Sequence, residues 1–305
     1  MTIDLKGRVA VVTGAGGGLG RAHALLLAQY GAKVVVNDFG GARDGKDGSE
    51  SPAQRVVEEI ITRGGEAIAD TASVTDFDAV VAMIRNAESR WGSVDILVNN
   101  AGILRDKTFA KMELSDFRAV LDVHLMGAVH TAKAVWAGMI SRGFGRIVMT
   151  SSSSGLYGNF GQSNYAAAKM GLVGLMKTLA LEGARHNIRV NCLAPSAATR
   201  MTDDIMPGEI LQRLRPEVVS PAIVALSADD APTGAVLCAG GGSFERAYVT
   251  LTRGIFVDPA SDAAETVLDN MELLSAREGE MVPSHGPEQA QWEASRGAAP
   301  FTAVA

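Results

Sequence analysis

The stretch Val9-Ala10-Val11-Val12-Thr13-Gly14-Ala15-Gly16-Gly17-Gly18-Leu19-Gly20 decides how the rest of the chain is read. Its first four residues are a continuous apolar run, the pattern of a strand buried on both faces. The glycines that follow open an Ala/Leu-rich helix running to about Tyr30. After Gly31, Lys33-Val34-Val35-Val36-Asn37 reads as a second strand that ends at Asp38. Strand, glycine turn, helix and strand within about thirty residues form a unit suited to a dinucleotide. Bare backbone at Gly14, Gly18 and Gly20, with Leu19 between them, lets a pyrophosphate approach, and the helix N-terminus favours its charge. The carboxylate of Asp38 can accept hydrogen bonds from ribose hydroxyls and repels a 2′-phosphate, so NAD is expected over NADP. Arg43 points the other way. It lies in a Gly/Asp/Ser-rich insertion, Gly40 to Ser51, where a solvated arginine is the simpler explanation.

Outward from this unit the same alternation continues. Pro52 to Arg63 carries Val56, Val57, Ile60 and Ile61 at helical spacing. Glu66 to Asp70 is a weak third strand, followed by Ser73-Val74, where an adenine edge would rest. Asp76 to Trp91 reads as a helix, and Ile96 to Asn99 as a fourth strand leading into Asn99-Asn100-Ala101-Gly102. A side-chain amide there can brace the central strands, while the small residues leave room for a ribose. Glu113 to Arg142 is a long helical stretch containing His124, Arg146 to Met149 a fifth strand, and Ile188 to Leu193 a sixth, stopped by Pro195. Val218 to Ala228 is a short helix and Gly234 to Ala239 a seventh strand. Seven strands alternating with helices demand an α/β architecture, one doubly wound Rossmann domain with a parallel sheet. This domain is expected over 1–245, with a C-terminal extension over 246–305. Residues Ser196 to Pro221, placed after the carboxyl end of a strand, are the expected substrate lid. In the extension, 262–278 has helical spacing, and Trp292 and Phe301 are candidate anchors for packing on this or a partner subunit.

Chemistry is expected from Thr150 to Lys169, TSSSSGLYGNFGQSNYAAAK. Tyr165 and Lys169 are four apart, hence on one helical face. An ammonium close to a phenol favours the phenolate, so the pKa of Tyr165 is expected to fall from about 10 toward neutrality. Such a group passes protons to and from a carbonyl or hydroxyl oxygen. Ser152, at the end of the preceding strand, could hold the same oxygen. Of the four tyrosines, Tyr30, Tyr157 and Tyr248 have no lysine four residues later.

Composition narrows the partners. The 305 residues carry a formal net charge of −6 without a basic run, which disfavours nucleic acid. Hydrophobic residues make up 47%, enough for a full core, yet no apolar stretch approaches a membrane span. Met1 to Arg8 lacks the hydrophobic region of a signal peptide. Cys192 and Cys238 lie in apolar strand-like runs, read as two thiols in a reducing, cytoplasmic compartment. The five histidines form no ligand-spaced cluster, so no metal is expected. The serines at 151–154 lack the flanking pattern of a hydrolase elbow.

Taken together, Thr13-Gly14-xxx-Gly18-x-Gly20, Asn99-Asn100-Ala101-Gly102, Ser152 and Tyr165-xxx-Lys169 resemble the short-chain dehydrogenase/reductase family over positions from about 7 to 240. Within it, VVVNDFGG at 34–41, NNAGILRD at 99–106, DVHLMGA at 122–128, YGNFGQSNYAAAK at 157–169 and RMT…MP at 200–207 are similar to the (3R)-hydroxyacyl-CoA dehydrogenase domains of peroxisomal multifunctional enzymes type 2 and their bacterial relatives. The resemblance implies an NAD-dependent oxidoreductase acting on an acyl-CoA or steroid-like small molecule, assembled as a homodimer or homotetramer. It implies Tyr165 as general acid/base and Ser152 orienting the substrate oxygen. Lys169 would hold the nicotinamide ribose and lower the tyrosine's pKa. Asn99, Ala101 and Gly102 would line the ribose, Ser73 and Val74 the adenine edge, and Pro195 and backbone near Ala198 the carboxamide. His124 stands where most of the family has an asparagine that helps hold a relay water. Ser73 replaces an aspartate beside the adenine, and Ser196 a glycine after Pro195. Two other readings are an NADPH-using 3-oxoacyl reductase and a non-catalytic NAD-binding regulator. An intact serine, tyrosine and lysine argue against the latter.

Overall fold

The computed structural model describes residues 3–40, 51–197, 213–257 and 262–296, divided into two units at residue 246. The first unit is built on a sheet of eight strands in the order β3-β2-β1-β4-β5-β6-β7-β8. These are β1 (Val9–Thr13), β2 (Lys33–Asn37), β3 (Ala67–Asp70), β4 (Ile96–Asn99), β5 (Gly145–Thr150), β6 (Ile188–Ser196), β7 (Val236–Gly240) and β8 (Ser243–Ala247). The pairs from β3 across to β7 are parallel. Crossovers between them are made by α1 (Gly18–Gln29), α2 (Ser51–Thr62), α3 (Phe77–Trp91), α4 (Leu114–Leu121), α5 (Gly127–Arg142), α6 (Ser153–Tyr157), α7 (Ser163–Gly183) and α8 (Ser220–Ser227). Every residue of β1, β4 and β5 is buried. That is why each is centred on an apolar run, Val9 to Val12, Ile96 to Val98 and Ile147 to Met149: helices cover both faces of the sheet. The strand order reverses between β1 and β4. A crevice therefore opens at their carboxyl ends, where ligands bind in sheets of this kind.

Three features depart from the sequence expectation. The sheet has an eighth strand beyond the expected seven. Gly241 (φ +60°) and Gly242 (φ +87°) join β7 to β8. A two-residue link with both φ values positive is a tight hairpin turn, so β8 returns antiparallel to β7. Ser243 to Arg246 are exposed, Phe244 among them, and such an edge leaves no apolar run to read. Second, β6 continues through Pro195 to Ser196 instead of stopping at Leu193. Leu193 O accepts from Ser151 N–H at 2.7 Å, so residues 193 and 195 both turn toward β5. β5 has already left the sheet there, and the amide that proline lacks would have had no strand partner. Third, the long helix expected over 113–142 contains a π-helical turn, Asp122–Met126, between α4 and α5, with His124 inside it.

In the second unit, residues 251 and 281 form an antiparallel bridge, accompanied by α9 (Ala263–Asp269), α10 (Met271–Leu274) and α11 (Gly286–Arg296). The helix expected over 262–278 is interrupted at Asn270, whose side-chain amide donates to Thr266 O at 2.7 Å. No described side chain of this unit is buried. Arg43 with most of its insertion, Ala198, the lid strings at 200–207 and Phe301 lie outside the described residues. No helix among the described residues is long and apolar enough to cross a membrane, and they hold no cluster of potential metal ligands.

Candidate active site

The glycine turn carries β1 into α1 at the carboxyl end of the sheet. A Cβ on Gly20 would lie 2.2 Å from Gly14 O and 2.6 Å from Asn100 Nδ2, so only glycine lets the turn close against the β4 loop. The first amides of α1, at Gly18, Leu19 and Gly20, have no partner within the helix and lie at its positive end. A further glycine, unassigned from sequence, shapes the neighbouring pocket. Gly16 N–H donates to Asp38 Oδ2 at 2.7 Å, and a Cβ there would overlap that carboxylate. Gly40 N–H donates to Asp38 Oδ1 at 2.8 Å. Two backbone donors thus fix the Asp38 carboxylate and leave it lone pairs for a ribose.

The β4 loop is braced from both sides. Asn100 Nδ2 donates to Thr13 O and Gly14 O, both at 3.1 Å, while Thr13 Oγ1 accepts from the amides of Asn100 and Ala101. Asn99 Oδ1 accepts from Thr131 Oγ1 of α5 at 2.5 Å, and its buried Nδ2 has no partner. Thr131 had no signal in the sequence, because the contact spans 32 residues. Val74 is buried beside Gly127, and the Ser73 hydroxyl pairs with Thr75 Oγ1 at 2.8 Å. Pro195 pairs with Ala239 near the end of β6.

Ser152, Tyr165, Lys169 and His124 converge in the same crevice. Ser152 ends the β5 segment in an extended conformation and caps α6, its oxygen accepting from Ser154 N–H at 3.1 Å. The Ser152 hydroxyl favours the ionised form of Tyr165. α7 is tied to the end of β5 by Ser151 Oγ, which donates to Lys169 O at 2.9 Å. Lys169 is 3% exposed, its Nζ donating to Thr150 O at 2.5 Å and lying 5.4 Å from the Tyr165 ring centroid. The His124 ring stands edge-on to Tyr165, 5.1 Å between centroids. Its Nε2 meets Ile103 O at 2.8 Å and Ile103 N at 3.1 Å, and its Nδ1 has no partner. A cavity of about 10 Å³ lies among Thr13, Asn99, Ala101, His124 and Lys169. That is roughly the size of one water molecule.

The electrostatics correct one expectation. The pKa of Tyr165 is raised, not lowered, from its ordinary 10.0. Burial is the largest cause; the Ser152 hydrogen bond works against it, and the Asp106 carboxylate adds to it. Lys169 does not reverse this because burial pulls its own pKa down to about 7, so its charge is partial at neutral pH. Burial, aided by Lys169, holds His124 well below its usual range, so it is neutral. In the free protein, then, the phenol is a proton donor.

These groups fit a nicotinamide dinucleotide. There are unpaired helix amides for the pyrophosphate, surfaces without Cβ at residues 16 and 20, an oriented carboxylate for the ribose and an orphaned Asn99 amide near Lys169. What they can do chemically is bind such a cofactor and exchange a proton at Tyr165 Oη with an oxygen beside it.

Comparison with known proteins agrees. The family model for short chain dehydrogenases matches residues 8–209. A Mycobacterium tuberculosis protein, named as a short-chain type dehydrogenase/reductase, is 52% identical over 79% of this chain and 85% of its own. The solved full-length peroxisomal multifunctional enzyme type 2 of Drosophila melanogaster superposes with a TM-score of 0.78 at 36% identity. That match takes in 95% of this chain but 49% of the Drosophila one, so this chain spans about half the length of that relative. A 7α-hydroxysteroid dehydrogenase solved with NADH and 7-oxo glycochenodeoxycholic acid gives a TM-score of 0.71 at 32% identity, covering 79% of this chain and 95% of its own. Fold, motif positions and these matches agree on one assignment: the chain belongs to the short-chain dehydrogenase family, enzymes that work with a nicotinamide cofactor.

Proposed function

We propose that this protein is an NAD-dependent oxidoreductase that interconverts a secondary alcohol and a ketone, with a (3R)-3-hydroxyacyl-CoA as substrate. The convergence of Ser152, Tyr165 and Lys169 beside the glycine turn carries the reading. NAD, when bound, supplies the hydride acceptor. The glycine-turn amides at Gly14, Gly18, Leu19 and Gly20 would hold its pyrophosphate and Asp38 its adenosine ribose. Ser73 and Val74 would border the adenine, Asn99, Ala101, Gly102 and Lys169 the nicotinamide ribose, and Pro195 the carboxamide. Asp38 is the reason for preferring NAD to NADP, since its fixed negative charge would repel a 2′-phosphate.

The chain's own residues manage position and protons. Ser152 holds the substrate oxygen. Tyr165 Oη gives its proton to that oxygen in reduction and removes the proton from it in oxidation. Because burial favours the neutral phenol, reduction finds its acid in place, whereas oxidation requires the phenolate, which the Ser152 hydrogen bond and the charge on Lys169 favour. His124 and the Asn99 amide would hold a water between Lys169 and the protein interior, a route by which the pair exchanges its proton. The acyl-CoA class rests on the strings at 34–41, 99–106 and 157–169 and on the likeness to the Drosophila enzyme. A steroid-derived hydroxy compound is the second reading, favoured by the likeness to the 7α-hydroxysteroid dehydrogenase. Assembly into a homodimer or homotetramer is supported by apolar side chains left exposed on α4 and α7, Leu114, Met170 and Leu181.

The test is Tyr165→Phe, assayed by NADH absorbance on hydroxyacyl-CoA esters and hydroxysteroids, alongside NADH fluorescence titration. Turnover should vanish with cofactor affinity nearly intact; retained turnover refutes the assigned acid/base. Hydroxysteroid turnover without hydroxyacyl-CoA turnover would select the second reading.

A further inference from the structure

Residues 103–107, which follow β4, lie against the loop 158–162 and the first turn of α7, and three hydrogen bonds stitch them together near Tyr165. Lys107 N–H donates to Gly161 O at 2.9 Å, Asn164 Nδ2 to Arg105 O at 3.0 Å, and Gln162 Nε2 to Asp106 Oδ2 at 2.7 Å. Asn164 Oδ1 in turn accepts from the Tyr165 amide at 2.8 Å. Gln162 is only 7% exposed, and its Oε1 accepts from Asn159 Nδ2 at 3.0 Å. Both ends of that amide are used, so its orientation is fixed.

The start of α7 gives this stitching a purpose. Gln162 is the N-cap residue but makes no capping bond, and the first turn holds no acidic residue. Its side chain reaches Asp106 instead, and thereby brings a carboxylate from a different part of the chain to the positive end of a 21-residue helix. The His124 ring from the π turn and Lys169 from its own helix lie beside the Tyr165 ring, while the Ser152 hydroxyl at the β5 end favours its phenolate and the Asp106 carboxylate of the β4 loop disfavours it. Arg105 and Lys107, on either side of Asp106, form ion pairs with Asp116 at 3.1 Å and 3.0 Å.

We propose that Asp106, held across the mouth of the site by Gln162, is a positioning residue that sets how readily Tyr165 gives up and regains its proton. A negative charge near a phenol disfavours a second one on it, so Asp106 keeps Tyr165 in its donor form. The inference rests on the reading of Tyr165 as the acid/base.

Asp106→Asn preserves the acceptor for Gln162 and removes the charge. In this variant the acid limb of the oxidative kcat profile should move to lower pH. The ultraviolet phenol titration, taken as the difference from the same protein carrying Tyr165→Phe, should move the same way. Asp106→Glu keeps the charge and should restore the original limb. If Asp106→Asn does not fold, Gln162→Met, which releases the carboxylate from its anchor, should move limb and titration in the same direction by less. Profiles and titrations that stay in place, or move to higher pH, overturn the proposal. Turnover retained in Tyr165→Phe would instead bring down the acid/base reading itself, so the two failures are told apart.

Discussion

Two buried cations sit at opposite ends of the same central strands, and they are treated in opposite ways. Arg146, at the start of β5, is fully buried, and its guanidinium donates to four backbone carbonyls, those of Ala228, Gly145, Asn187 and Asp229. It also stacks on Phe144, over which Arg8 lies as well. Burial lowers its pKa only to about 10, so it remains charged. Lys169 points toward the carboxyl ends of the strands. Its pKa falls to about 7, and around it the Asn99 Nδ2, His124 Nδ1 and Thr150 Oγ1 atoms have no partners. Buried polar atoms are ordinarily satisfied, so a cluster of orphans marks capacity kept for something else. One end of the sheet ties its cation into the fold through carbonyls; the other leaves polar atoms around its cation unpaired.

Removing each cation in turn should break the comparison cleanly. Lys169→Met should reduce turnover by about 10²–10⁴-fold, the range of positioned proton transfer, while thermal stability holds or rises because a poorly satisfied charge has gone. Arg146→Met should do the reverse: stability by urea melt falls by about 3 kcal/mol or more as carbonyls lose their donors, and the folded fraction stays active. A stability loss in the first variant and none in the second would show the ends to be alike.

Titration sharpens the same contrast away from the chemistry. His23 on α1 is fully buried, paired through Nδ1 with Ser220 Oγ at 2.8 Å, and burial lowers its pKa from 6.5 to about 3. Since the unfolded chain takes up this proton first, stability is complete above pH 6.5 and is lost as the pH falls toward 3. The slope for this one group is about 1.4 kcal/mol per pH unit. His23→Gln should flatten the acid side of the stability curve, as followed by urea midpoints. A smaller effect is expected at the cofactor pocket. Asp38→Ser should narrow the NAD over NADP preference about tenfold, the worth of one charge-assisted hydrogen bond. An unchanged ratio in the absorbance assay would remove Asp38 from the ribose site.

The raised pKa of Tyr165 also predicts how rate depends on pH. Its folded value lies above 10.0, so the phenolate is scarce at neutrality. Oxidation should therefore accelerate as pH rises through the alkaline range, and reduction should slow there. An oxidative rate that is flat from neutral pH upward would mean that the proton leaves by another group.

Where structure is dictated locally, the sequence was readable. Val9 to Gly20 and Tyr165 with Lys169 are contiguous or one turn apart, and apolar runs and helical spacing suffice to place them. What escaped depended on contacts made at a distance or on burial. Thr131 meets Asn99 across 32 residues, and Gln162 meets Asp106 across 56. Pro195 stays in its strand because of where a different strand ends. The exposed edge strand β8 carries no apolar run to detect. The direction of the Tyr165 shift hinges on how dry Lys169 is, and spacing alone cannot say that.

The π turn at Asp122–Met126 absorbs one residue of the chain, and deletion would isolate what that residue does. Such a turn accommodates one residue more than an α-helical turn, so the helix beyond it is rotated by about 100° relative to an uninterrupted one. Val120 and His124 both face inward across this offset, and Thr131 beyond it reaches Asn99. A single-residue excision inside the turn would let it relax to regular α-helix. The lost residue would cancel the offset, so Val120 and Thr131 would keep their faces and only the turn itself, with the imidazole it carries, would be redrawn.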